Sequence, residues 1–316
     1  MKGLTDIPGI RVGHASNYDA LTGCTVILCE SGAVAGVDVR GSATGTEEFG
    51  LFDPLHVTDR IHGVVFAGRS VFGLEAAAGV RRFLEHKGVG FETPFGRMPL
   101  VTGAILYDFG MGKTSVRPTR EMGESAAAAA SDQAVAEGSV GAGTGATVGK
   151  VLGMKNAMKS GIGSWTVELH GGVRVAALAV VNALGDVRDP LTGKTLAGTR
   201  KTPASREFAG SAQLIMNGTQ AGFRGGNTTL VTVATNAALT KVQATKVAQL
   251  ASLGMARSID PVNTMSDGDV VIVLSIGTLK AGVDALGIAA AEAVSRAIVR
   301  GVTESKSLGG LPGLAA

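Results

Sequence analysis

The feature of this chain with the most chemical content is a threonine hydroxyl, Thr228. It directly follows Gly225-Gly226-Asn227 and directly precedes a β-branched run, within Phe223-Arg-Gly-Gly-Asn-Thr-Thr-Leu-Val-Thr-Val-Ala-Thr-Asn236. Glycines let the Asn227 carbonyl be turned against the Thr228 hydroxyl, and the strand-like run that follows fixes that hydroxyl. Attack by the hydroxyl gives an ester, and hydrolysis of the ester frees the α-amine of Thr228. Such an amine has an ordinary pKa of roughly 7.7–8.0, suited to a general base near neutral pH. Nucleophile and base then share one residue. The same residues also make an ordinary turn entering a strand, and by composition alone that reading is preferred.

Other constellations are weaker. The histidines are His14, His56, His62, His86 and His170, none paired at the spacing of a metal-binding helix, and no histidine stands at ligand spacing from Cys24 or Cys29. No metal or cofactor is expected. No Gly-x-Ser-x-Gly elbow occurs. Val140-Gly-Ala-Gly-Thr-Gly-Ala146 contains a Gly-x-Gly-x-x-Ala pattern, but it follows an apparent helix rather than a strand. It also fails as a phosphate loop, with Thr144 in place of the first glycine and Val151 after Lys150. A tight turn or close backbone packing is the preferred reading, and a nucleotide-binding protein with no hydrolytic activity is the outlying alternative.

The elements that must position these groups follow from periodicity. Strand-like runs are Cys24–Cys29, Val34–Val39, Gly63–Ala67, Thr102–Tyr107, Val173–Val181, Thr229–Ala234 and Val270–Ser275. Several are continuously apolar, which suits sheets covered on both faces. Helix-like stretches are Gly73–His86, Glu121–Glu137, Gln243–Ser258 and Val283–Val299. Asp189–Arg206 and Gly218–Asn227 read as loops, and Ser305–Ala316 as a poorly ordered tail. Strands clustered between long helices predict α/β layers, in one domain over 1–316.

Composition bounds the partners. Of 316 residues, 45% are hydrophobic and 4% aromatic, so Val, Ala, Leu and Ile must build the core, packed through 47 glycines. The net charge of +3, evenly spread, gives no nucleic-acid footprint. No apolar run approaches the length of about 18 residues that a membrane span needs, and no secretory signal is visible. A cytoplasmic location is the expectation.

Several segments carry a resemblance, in order and nearly end to end. They are Ile7–His14, Leu21–Leu28, Gly36–Gly41, Gly45–Glu48, Phe72–Val80, Val140–Lys150, Ser160–Ser164, Val180–Asp186, Asn227–Leu230 and Thr264–Asp269. In these the chain resembles the L-aminopeptidase/D-esterase (DmpA) and β-peptidyl aminopeptidase family. The resemblance implies a four-layer αββα sandwich of the DmpA/ornithine acetyltransferase type. It implies self-cleavage between Asn227 and Thr228 into 1–227 and 228–316, with Thr228 as the nucleophile of an aminopeptidase or amidase acting on small peptides or amides. It further implies Asn182 as the oxyanion holder, and a supporting pair near the chain end matched by Asp267 and Asp269. Relatives often have Ser at the first of that pair, so Asp267 departs from the pattern, or Ser266 takes the role in a shifted register. Tyr107 is the better match to a mid-chain site tyrosine, with a plain core tyrosine as the alternative. Arg69 stands where relatives often have glycine; a cation there favours an acidic substrate if it lines the pocket, and otherwise is a surface or ion-paired residue. A homo-oligomer, a tetramer of processed pairs, is also implied. An acyltransferase on the same scaffold is the competing activity.

Overall fold

The computed structural model describes residues 2–220 and 226–316. Of the expected loop 218–227, the stretch 221–225 lies outside the described residues, and Gly225 with it. Nine strands of the described residues form one hydrogen-bonded sheet. They are β1 (Arg11–Asn17), β2 (Thr22–Val39), β3 (Thr46–Glu47), β4 (Arg60–Ala67), β5 (Val101–Ile105), β6 (Ile162–Glu168), β7 (Arg174–Asn182), β8 (Thr228–Ala237) and β9 (Val270–Leu279). The order is β6-β7-β8-β9-β2-β4-β5-β3, with β1 on β2. β8 and β9 run parallel, and so do β4 and β5.

β2 joins what the sequence reads as two strands. Its first half pairs with β1 and β4, its second half with β9, and its register with β4 shifts between Leu28 and Ala33. Such an irregularity bends a strand, and here it carries β2 from one sheet layer into the other. Side chains alternate across each layer, as a period of two requires. In β7, Val175, Ala177, Ala179 and Val181 face one core while Ala176, Leu178 and Val180 face the next. This double burial is why these strands read as unbroken apolar runs.

The helices that cover the sheets are α1 (Glu75–His86), α2 (Arg120–Ala128), α3 (Lys241–Ser258) and α4 (Val283–Thr303). α3 opens on a capping box formed by Thr240 and Gln243. Val247, Ala251 and Met255 of α3 and Leu286, Ala290, Val294 and Ala297 of α4 cover the β7–β8–β9 layer. Ala76, Val80 and Leu84 of α1 and Ala126 and Ala127 of α2 cover the β2–β4–β5 layer. Between the sheets lies a third core, with Ile27, Val64 and Phe66 against Leu178, Leu230 and Ile272. The result is the expected αββα sandwich. Each fully buried Val, Leu, Ile, Met or Phe side chain among these stabilises the fold by roughly 1.5–3 kcal/mol, and each alanine by less.

Two expectations fail. The helix expected over Glu121–Glu137 stops at Ala128. Ser131 instead exchanges backbone hydrogen bonds with Val12 at 3.0 and 3.1 Å, and Glu137 pairs with Arg300 of α4. Tertiary partners override an alanine-rich helical pattern. The tail is also ordered: Ala315 N–H donates to Ser305 at 3.0 Å, Lys159 N–H donates to Pro312 at 2.9 Å, and Leu311 packs with Leu21, Met111 and Ala157. Among the described residues no helix is long and apolar enough to cross a membrane.

Candidate active site

Register brings the polar end of the sheet together. β7 and β8 are antiparallel, and Asn182, the last residue of β7, pairs directly with Thr228, the first of β8. β8 and β9 are parallel with Leu230 opposite Val270, so Gly268 lies level with Thr228. Asn182 has the parity of Val180 and Leu178, and Thr228 that of Leu230, so both side chains point to the space between the sheets.

The Asn227–Thr228 junction is buried, with both residues 2% exposed. Thr228 Oγ1 donates to the Asn227 carbonyl oxygen at 2.5 Å, and the Gly268 N–H donates to the same oxygen at 2.9 Å. A Cβ on residue 268 would lie 2.9 Å from Thr228 Oγ1 and 2.6 Å from the Ala43 carbonyl oxygen, so only glycine admits this approach. Asn227 Nδ2 donates to the Ser266 carbonyl at 3.2 Å.

The two carboxylates flank Gly268. Asp269 Oδ1 accepts from Thr229 N–H at 2.6 Å and Oδ2 from Asn263 N–H at 2.9 Å. Asp267 Oδ2 accepts from Thr264 Oγ1 at 2.5 Å and from Thr264 N–H at 3.1 Å, and Oδ1 accepts from Leu184 N–H at 3.4 Å. Ser266 reaches the junction through its backbone carbonyl, and of the two carboxylates Asp269 holds the amide of Thr229, the residue after Thr228. Burial raises the pKa of both. For Asp269, burial first and the neighbouring Asp267 charge second push it up to about 7.

Lys150 is the partner that sequence reasoning missed. Its Nζ donates to Asn182 Oδ1 and to the Asn182 carbonyl, each at 2.9 Å, and to the Gly226 carbonyl at 3.3 Å. Burial lowers its pKa to about 7, against the pull of Asp267, Asp108 and Asp269. Thr147 N–H donates to Asn182 Oδ1 at 3.1 Å. With its oxygen held by donors, the Asn182 amide is turned so that Nδ2 donates outward, to the Tyr107 carbonyl at 3.1 Å. A primary amide carries two N–H donors, which leaves one for a further acceptor. In the sequence Lys150 closes the resembling segment Val140–Lys150 and a failed phosphate-loop pattern, neither of which gives it a role, and its spacing from Asn182 carries no signal.

A cavity of about 280 Å³ opens beside the junction, lined by Tyr107, Phe109, Met111, Lys150, Leu184 and Asn227 among others. Tyr107 therefore lines the cavity beside the junction, two residues beyond the end of β5. Arg69 neither lines this cavity nor reaches the surface: it is fully buried and its guanidinium lies 3.4 Å from Asp108. The Gly141–Gly145 turn is buried, with Gly141 N–H spent on Ser16 Oγ at 2.7 Å and Ala142 N–H on Thr25 Oγ1 at 3.0 Å. Those amides are committed inside the fold and do not cradle a phosphate. Among the described residues no cluster of His, Cys, Asp or Glu has the arrangement to hold a metal ion.

The model of peptidase family S58 matches residues 2–315. The chain belongs to peptidase family S58. Membership makes it a hydrolase of peptide or amide bonds. An uncharacterized aminopeptidase of Mycobacterium bovis is 37% identical over 99% of this chain and 96% of its own length. A 6-aminohexanoate-oligomer endohydrolase of a Kocuria species is 31% identical over 93% of this chain and 84% of its own. In fold, the chain is similar to the L-aminopeptidase D-Ala-esterase/amidase of Ochrobactrum anthropi, with a TM-score of 0.73 at 19% identity over 98% of this chain and 88% of that one. That structure is described as a variant of the Ntn hydrolase fold.

Proposed function

We propose that the chain cleaves itself between Asn227 and Thr228, giving chains 1–227 and 228–316, and that Thr228 is then the nucleophile of an aminopeptidase or amidase. The observation that carries this reading is the short contact of Thr228 Oγ1 with a carbonyl that also accepts the Gly268 N–H. Oγ1 is placed beside the carbonyl it must attack, and a backbone donor already faces the oxygen on which charge develops.

In the first step Oγ1 attacks the Asn227 carbonyl carbon, and its proton passes to the carboxylate pair. The C–N bond breaks, the proton goes to the leaving nitrogen, and an ester joins Asn227 to Oγ1. Water hydrolyses the ester, leaving a carboxylate on Asn227 and a free α-amine on Thr228. In turnover that amine takes the Oγ1 proton as Oγ1 attacks a substrate amide, and gives it to the leaving amine. The free N–H of Asn182 holds the oxyanion, with Lys150 turning the amide. Water then releases the acyl group. One such donor is worth roughly 3–4 kcal/mol.

The family relatives named as an aminopeptidase and as an amide-oligomer hydrolase support a small amide as substrate. The test is hydrolysis of aminoacyl p-nitroanilides by the purified protein and by Thr228→Ala. Turnover by the wild type alone is expected; turnover by the variant would remove Thr228 from the role.

A further inference from the structure

Arg69 sits in left-handed backbone, with φ 64°, followed by Ser70 at φ 54°. Both are conformations that glycine adopts freely and arginine does not. The side chain makes up for this with an unusual set of bonds. Nη1 donates to the Asp108 carbonyl at 2.7 Å, Nη2 to the carbonyls of Ala20 at 2.5 Å, Met111 at 3.0 Å and Lys113 at 3.3 Å, and Nε to Val116 at 3.2 Å. Four of those carbonyls belong to one loop, 108–116. The Asp108 carboxylate closes the arrangement by accepting from Arg69 N–H at 2.8 Å and from Thr22 Oγ1 at 2.7 Å.

That loop is the wall of the cavity beside the junction: Tyr107, Phe109 and Met111 line it. The guanidinium also lies 5.4 Å from the centre of the Phe109 ring, which packs at 5.0 Å on the Tyr107 ring. One planar, always-charged fork thus fixes both the backbone and the aromatic face of the wall. Its charge is met inside by Asp108, so the face it presents through Phe109 and Met111 is apolar.

We propose that Arg69 is a positioning residue that sets the width of this cavity and so selects substrates with an uncharged, apolar group of bounded size. The selectivity rests on the hydrolase reading above; the holding of the wall does not. Arg69→Lys keeps the charge for Asp108 but cannot reach five carbonyls. The double variant Arg69→Met with Asp108→Asn removes both charges while leaving an oxygen to accept the residue 69 amide.

Two readouts decide it. Lys113 is exposed, yet its carbonyl and that of Val116 are pinned by Arg69, so trypsin should nick this loop after Lys113 slowly in the wild type and rapidly in both variants. With leucine and glycine p-nitroanilides, KM for the leucine substrate should rise about tenfold in each variant with a smaller change in kcat, flattening the preference for leucine. Wild-type resistance to nicking in both variants would overturn the proposal. So would nicking with an unchanged leucine-to-glycine preference, which would confine Arg69 to loop packing. A wild type that hydrolyses neither anilide would sink the hydrolase reading and the selectivity with it, while the nicking after Lys113 would still decide whether Arg69 holds the wall.

Discussion

Lys150 and Lys159 stand nine residues apart, are both buried, and are both pushed down to about 7 by burial. Their surroundings differ. Lys150 faces the amide oxygen of Asn182 and the carbonyl just before the junction, with Asp267, Asp108 and Asp269 all pulling on its charge. Lys159 faces only main-chain carbonyls, of Gly143 at 3.0 Å, Ala146 at 2.8 Å and Ser160, and only Asp108 acts on its charge. Burial therefore moves both pKa values alike and does not distinguish a site lysine from a structural one. What the ammonium faces does. Lys150 meets the Asn182 side chain and the carbonyl just before the proposed cleavage junction; Lys159 meets only main-chain groups and fastens the turn leading to Thr147.

The contrast predicts separate losses. Thr228→Ala, at the Lys150 end, removes the attacking oxygen and should abolish both cleavage and hydrolysis, a fall of at least about 10³-fold measured on an aminoacyl anilide. Asn182→Ala and Lys150→Met should each lower kcat by about 10²–10³-fold, with a smaller change in KM, because they act on the developing charge. A change confined to KM in either would move it out of the oxyanion role. Lys159→Met should instead cost about 2 kcal/mol of stability in a denaturant titration, through carbonyls left without a donor, and leave kcat within a few-fold of wild type.

Stability against pH sharpens the same contrast. A lysine whose folded pKa is lowered from 10.5 to about 7 binds its proton less readily folded than unfolded. Its contribution is present above the unfolded value and is lost as pH falls from about 10.5 to 7. Lys159→Met should flatten that alkaline slope. Asp269, raised instead, contributes stability that is lost as pH rises from its ordinary value toward 7. The smallest effect follows from the Asp267 charge being the second cause of that rise: Asp267→Asn should shift the acid limb of the processing rate to lower pH. An unmoved limb would take Asp269 out of the proton path.

Much of this was legible in the residues. The alternation hidden in continuous apolar runs such as Val173–Val181 predicts sheets covered on both faces, and the layers have that form. Thr228 at a strand start and Asn182 at a strand end are visible as types. That they sit opposite one another is a matter of register, which only the assembled sheet fixes. Lys150 left no mark because its partners lie 32 and 76 residues away in sequence. Arg69 carries two readings in the sequence, a pocket cation or a surface or ion-paired residue; the pair with Asp108 meets the second, but an arginine in a glycine-rich turn gives no hint that main-chain carbonyls will surround it. The glycines of the tail beyond Ser305 predict a loose end, while its order comes from contacts with Met111 and Lys159 far upstream. Local composition is blind to such contacts.

The central claim is one bond. Intact mass of the purified protein under denaturing conditions, with sequencing of the smaller fragment from its N-terminus, tests it directly. The account predicts that the 31.8 kDa chain divides into two and that the smaller piece begins Thr-Thr-Leu-Val, while Thr228→Ala stays whole. A wild-type protein present only as the undivided chain, or a fragment beginning at any other residue, would contradict it.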